Sequence, residues 1–190
     1  MATTLHIVEA CRKTTPRRRD EPLEQYLARL THLNLSQRHL SAVGDIAHCH
    51  RLMVLYLYQN NLSQLRGLRS CAHLTQLYLQ DNALERLDGL STLTHLTKLY
   101  IGGNRLVVLE GLHNLHKLRE LHAERQELPP GEELILDPRS LRTAQRQLEV
   151  LNLEHNGLTS LHSLHGFQKL RTLRLGGNHL AHLHVRLTRA

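Results

Sequence analysis

The feature that most constrains this chain is a period. Leu33-x-Leu35, Leu55-x-Leu57, Leu77-x-Leu79 and Leu99-x-Ile101 recur every 22 residues, and the frame continues as Leu121-x-Ala123, Leu151-x-Leu153 and Leu173-x-Leu175. Three residues after the second apolar position stand Asn60, Asn82, Asn104, Gln126, Asn156 and Asn178, with Arg38 in the first, atypical unit. Apolar residues at every second position read as a short strand that turns alternate side chains inward. One such unit cannot bury its own apolar stripe, so the units must stack into an array.

This is the leucine-rich-repeat pattern. The expected fold is an α/β repeat, a leucine-rich-repeat solenoid of 22-residue units with parallel strands on its concave face. The Asn has a physical role, because its amide, turned inward, can bond backbone groups left unpaired where each strand bends away. Positions such as Leu84, Leu87, Leu90, Leu93 and Leu96 carry the chain back along the outer side. With one Phe, two Met and no Trp, Leu must do nearly all the packing, which suits a regular stack. Cys49 and Cys71 fall where other units have Leu93, Leu115 and Phe167, and read as small core residues rather than ligands or nucleophiles.

Residues 1–30 are expected to form an N-terminal helical cap, with helices near 5–11 and 21–30. Residues 31–190 form the array, with an insertion at about 127–147 and no clear C-terminal cap, as a shortened chain or a frayed last repeat would give. The step from Gln126 to Asn156 is 30 residues where the others take 22. Within it, Pro129-Pro130-Gly131 predicts a turn. Asp137 and Pro138 predict a helix N-cap and first position, with Leu141, Ala144 and Leu148 on one face.

Lys and Arg exceed Asp and Glu by 7, spread along the chain apart from a cluster at Arg12, Lys13, Arg17, Arg18 and Arg19. Such a balance suits acidic partners or simply a solvated surface. No apolar run is long enough for a membrane span, and no signal-peptide core stands at the N-terminus. Three Cys without paired spacing fit a reducing compartment. The expectation is a cytosolic monomer with no membrane partner. No cofactor, metal or catalytic residue is assigned: Gly102-Gly103 and Gly176-Gly177 serve the bend before the repeat Asn, with no Lys-Ser or Lys-Thr behind them to make a phosphate loop. The 16 His, including His48-x-His50 and His182-x-His184, lack Cys or carboxylate partners at ligand spacing and read as surface groups.

The strand residues that face outward define the candidate site. Tyr56, Tyr58, Tyr78 and Tyr100 are four of the five Tyr, and Tyr56, Tyr78 and Tyr100 should form a ladder at the strand spacing of about 4.8 Å. Glu120, Glu124 and Glu154 place an acidic stretch beside them, with Asn152 and Arg174 beyond, and His122 between two Glu is expected to have a raised pKa. Rings that merely pack on one another would explain the ladder without function. Aromatic residues with polar tips are, however, what protein interfaces use as anchors. The neighbouring acids argue against nucleic acid.

The unit Leu-x-x-Leu-Tyr-Leu-x-x-Asn, seen at residues 52–60 and 74–82, resembles the leucine-rich-repeat regulators of protein phosphatase 1. The interrupted segment Leu121-His122-Ala123-Glu124-Arg125-Gln126-Glu127-Leu128-Pro129, continuing through Gly131-Glu132-Glu133-Leu134 to Asp137-Pro138-Arg139, is similar to the interrupted repeat of one of its members. The resemblance implies a non-enzymatic scaffold that binds the protein phosphatase 1 catalytic subunit. It implies a place in the cytoplasm at the cytoskeleton, the microtubule organizing center and the centrosome. Tubulin or microtubule-associated proteins are further expected partners, and an adaptor at microtubules or the centrosome without a phosphatase role is the alternative. The family's docking sequence, a basic residue, then Val or Ile, one residue, then Phe or Trp, is absent; Phe167, the only Phe, follows His165-Gly166.

Overall fold

The computed structural model describes residues 3–44 and 46–181. Two short helices, α1 (Thr4–Ala10) and α2 (Leu23–Ala28), precede the strands β1 (His32–Asn34), β2 (Val54–Tyr56), β3 (Gln76–Tyr78), β4 (Lys98–Tyr100), β5 (Val108–Leu109), β6 (Glu120–His122), β7 (Ile135–Leu136), β8 (Val150–Asn152) and β9 (Thr172–Arg174). A third helix, α3 (Pro138–Ala144), lies between β7 and β8. Among the described residues, seven strands form one sheet in the order β1-β2-β3-β4-β6-β8-β9, every pair parallel. The inward Leu33, Leu55, Leu77, Leu99, Leu121, Leu151 and Leu173 stand side by side in register. The solenoid expected from the period is the one observed.

The outer side differs from an array of α-helices. The return path runs mostly through turns and single 3₁₀ turns at Ile46–His48, Leu68–Ser70 and His162–Leu164. Leu84, Leu87, Leu90, Leu93 and Leu96 are buried along it. Each Leu removed from water contributes roughly 1.5 to 3 kcal/mol, a sum available only because a neighbouring repeat covers both sides of the layer. Cys49 and Cys71 are fully buried in this stack. Burial pushes the Cys49 thiol up to about 12 and raises Cys71 as well, which keeps both protonated and unreactive.

The buried amides join repeat to repeat. Asn82 Nδ2 donates to the Leu79 carbonyl of its own repeat at 3.0 Å and to the Leu57 carbonyl of the preceding one at 2.9 Å, while Oδ1 accepts from Leu62 N at 3.0 Å. Asn104 repeats the set with Ile101, Leu79 and Leu84. Gln126 does so with its longer arm, reaching Ile101 and Ala123 at 3.0 and 3.2 Å and accepting from Leu106 N. The residue before each amide is left-handed: Gln59, Asp81, Gly103, Arg125, His155 and Gly177 have φ between 52° and 69°. Gly suits this conformation without strain; the other four residues adopt it at some cost, outweighed by the bonds made one residue later.

The interruption is carried on the outer side. Asp137 caps α3, accepting from Ser140 N at 2.9 Å and Arg139 N at 3.3 Å, and Leu141, Ala144 and Leu148 are buried, as the sequence predicted. The β5–β7 pairing, Val108 with Ile135 and Leu109 with Leu136, was not predicted, because two-residue strands carry no periodicity. At the other end, Ile7, Cys11, Tyr26, Leu27 and Leu30 from the helical segment join one apolar cluster with Leu33 and Leu35. Arg29 binds Glu21 through Nη2 at 2.9 Å and holds its carboxyl down at about 2.

The geometry of the stack sets the cost of disturbing it. Leu99→Ala should lower unfolding free energy by about 2 to 5 kcal/mol and Asn82→Ala by roughly 1 to 3 kcal/mol in chemical denaturation, while Arg86→Ala, on an exposed ion pair with Asp88 and Glu110, should leave it nearly unchanged. Glu21 has a depressed folded pKa, so its contribution is complete above the ordinary 4.5 and is lost as pH falls toward about 2. A carboxyl titration by NMR should place Glu21 well below the other Glu residues, and Arg29→Ala should return it to their range.

Candidate functional site

Register converts a recurring residue into a column. Tyr56, Tyr78, Tyr100 and His122 occupy the same position on β2, β3, β4 and β6. Tyr56 stacks on Tyr78 with ring centroids 4.6 Å apart, Tyr78 on Tyr100 at 4.6 Å, and Tyr100 on His122 at 4.3 Å, with interplanar angles of 18° or less. The expected three-ring ladder is thus a four-ring stack at the strand spacing. Tyr58 meets Tyr56 edge-on at 6.5 Å. The stacked faces are covered, so the column presents ring edges and hydroxyls: Tyr78 donates to Gln76 Oε1 at 2.9 Å and Tyr100 to Glu120 Oε2 at 3.0 Å.

The charges beside the column differ from those expected. Glu120 is no free acid. Burial pushes it up, but hydrogen bonds from Lys98 at 2.9 Å and from Tyr100 outweigh this and hold it below its ordinary value. The sequence reading of a raised His122 is overturned: burial against Tyr100 and the sheet lowers its pKa, and this outweighs the attraction of Glu124 and Glu120. The imidazole is therefore neutral at pH 7 and stacks as an uncharged ring. Asn152, expected on the accessible face, is 4% exposed, and its Oδ1 accepts from Glu154 N at 3.1 Å.

Beside the column runs an open trough of about 590 Å³. It brings together Tyr56, Tyr58, Tyr78, Glu124, Asn152, Glu154 and Arg174, whereas Tyr100, Glu120 and His122 stay in the adjoining column. Gln80 and Arg125 also line it and were missed, although their places in the 22-residue frame follow from Tyr58 and Asp81. Gly102 lies on its floor; a Cβ there would fall 2.7 Å from the Glu124 carboxylate, so Glu124 folds into the gap. A second cleft of about 670 Å³ lies where the chain leaving α1 overhangs β1, lined among others by Arg12, Lys13, Arg38, Asn34 and Tyr56. Tyr56 borders both.

Other candidates disperse. His73 and His95 are exposed, 6.2 Å apart on the outer side. Among the described residues no group of three or more His, Cys, Asp or Glu is placed to hold a metal ion. His182 and His184 lie outside the described residues, as does the stretch where the missing C-terminal cap was expected.

Comparison with known proteins agrees with this geometry. The family profile described as "Leucine Rich repeats (2 copies)" matches residues 72–107. The chain is similar to the crystal structure of an internalin (inlF) from Listeria monocytogenes str. 4b F2365, with a TM-score of 0.72 and 23% identity over 90% of this chain and 48% of that one. It is also similar to an internalin C2 (inlC2) of the same organism, with a TM-score of 0.67 and 17% identity over 96% of this chain and 89% of the other. The chain therefore spans about half of the internalin F structure. With the uniform parallel register and the continuous ladder of buried amides, these likenesses establish the fold as a leucine-rich-repeat solenoid.

Proposed function

We propose that the protein is a non-enzymatic scaffold that binds the protein phosphatase 1 catalytic subunit along its concave face, as a regulatory subunit located in the cytoplasm at the cytoskeleton, the microtubule organizing center and the centrosome. The observation that carries the binding reading is the column Tyr56, Tyr78, Tyr100 and His122 with the trough beside it, half-buried rings with polar tips on a face assembled from every repeat. A standard interface needs about 800 Å² per partner, which requires most of the strands and so suits an extended face better than one cleft. The phosphatase enters through sequence: the interrupted repeat is similar to that of protein phosphatase 1 regulatory subunit 42, the testis leucine-rich repeat protein. Docking through the face is then needed in place of the absent basic-Val/Ile-x-Phe/Trp sequence. The net charge of +7 favours a second reading, an adaptor that engages acidic tubulin with no phosphatase role.

Changing Tyr56, Tyr78 and Tyr100 together to Ala should abolish capture of the phosphatase catalytic subunit. Each lost ring pair also removes roughly 0.5 to 1.5 kcal/mol of stacking, so capture is measured well below the melting temperature of the variant, with circular dichroism showing a folded array. Glu154→Arg, which fills the trough and leaves the column intact, should weaken capture without that loss of stability. The outer-face controls His73→Ala and His95→Ala should bind normally. Wild-type capture by the folded triple variant would remove the concave face from the reading. Sedimentation with microtubules at low salt by a wild-type protein that captures no phosphatase would replace it with the adaptor.

A further inference from the structure

The aromatic column ends at an unfilled step. In β1 the register partner of Tyr56 is Asn34, whose short side chain is turned onto its own turn, with Oδ1 accepting from Ser36 N at 3.0 Å and from Ser36 Oγ at 2.5 Å. Tyr56 is stacked on one face by Tyr78 and has no ring from β1 on the other. Over this step hangs the chain that leaves α1, and the space between them is the cleft of about 670 Å³. Three permanent cations line it, Arg12, Lys13 and Arg38, against one acid, Glu9. Glu9, with a side chain 66% exposed, pairs only with Arg38, at 3.9 Å, while Arg12 and Lys13 have no carboxylate within ion-pair distance among the described residues. Of the carbonyls where α1 ends, Ile7 O accepts from Cys11 N and Glu9 O from Arg12 N, and just beyond it Cys11 O accepts from Thr14 N and Thr15 N.

We infer that this cleft is the docking site for an acidic, extended segment of a protein partner, whose carboxylates pair with Arg12, Lys13 and Arg38 while the chain continues over Tyr56 onto the concave face. The inference rests on the reading of that face as a docking surface, and does not depend on which globular partner occupies it. Charge complementarity selects the occupant. The cleft sets three cations against one acid, whereas the trough farther along sets Arg125 and Arg174 against Asp81, Glu124 and Glu154, so an acidic segment is favoured at the cleft. A nucleic acid would have to run its phosphates along the same face past those acids.

Binding of an oligoglutamate peptide, followed by calorimetry and by tyrosine emission, tests this. The chain has no Trp, and Tyr56 borders the cleft. The expected result is saturable binding that fades as ionic strength rises from about 0.01 M to about 1 M, where the Debye length shrinks from ~30 Å to ~3 Å. Arg12→Glu with Lys13→Glu should weaken it by roughly tenfold or more. Arg142→Glu with Arg146→Glu, the same charge change on exposed residues of the outer side, should leave it unchanged. Oligolysine should not bind in the cleft. Equal loss in both double variants would reduce the effect to net charge and overturn the inference, as would absence of binding or tighter binding of an oligothymidylate of matched charge. Phosphatase capture is scored separately on the same variants. Loss of peptide binding with capture retained separates the cleft from the column, and capture lost in the triple Tyr variant with peptide binding retained does the reverse.

Discussion

Everything in this molecule depends on the buried amide that ties each repeat to the one before it. A strand of three residues must bend away at once, and the bend leaves carbonyls and amide hydrogens facing an apolar interior. Asn60, Asn82, Asn104, Gln126 and Asn178 each bond backbone groups of their own repeat and of the one before, and Asn156 bonds Ala123 O and Gln126 N of the one before, so the same bonds that satisfy the backbone also fix the stacking distance. A Leu layer alone is tolerant of sliding; a hydrogen-bonded ladder is not. The left-handed residue that precedes each amide is part of the same device, since it turns the following side chain inward.

Once the stacking distance is fixed, the concave face is written in columns. A residue repeated every 22 positions is brought to strand spacing from its copy, and Tyr at three successive copies becomes a stack of rings without any further instruction. The interruption does not disturb this. Between His122 and Asn152 the chain takes 30 residues, yet the two remain register partners, because β7, α3 and the Pro-Gly turn are all placed on the outer side. Gln126 and Ala123 mark the adjustment within the repeat: the longer amide arm reaches the usual carbonyls while the strand position beside it takes a smaller side chain.

This explains what could be read from the sequence and what could not. The period, the amide positions, the Asp137-Pro138 helix start and the Tyr column follow from spacing alone. The Lys98–Glu120 pair is open to the same reading, since both lie one frame apart on adjacent strands. Burial could not be read in that way. His122 was expected to be raised because two acids flank it in sequence, whereas its titration is governed by desolvation against Tyr100, a quantity set by three strands together. Asn152 has the frame of an outward residue but is covered where Glu154 bonds back to it. The cleft beside Tyr56 needed the placement of the chain after α1 over β1, and no period spans that join.

Taken together, the columns give the face a direction. At the end nearest the helices stand Arg12, Lys13 and Arg38; in the middle the rings and the Lys98–Glu120 pair are electrically quiet; beyond them Glu124 and Glu154 line the trough together with Arg125 and Arg174. A quiet centre lets an apolar or aromatic contact form without desolvating an unpaired charge, which is where binding free energy concentrates in interfaces. Charged ends add little affinity of their own, but a partner laid on in reverse would set like charges against each other at one end at least. The repeats that provide area through uniformity therefore owe their orientation to the places where uniformity stops, the helical segment before β1 and the altered residues of the interrupted repeat.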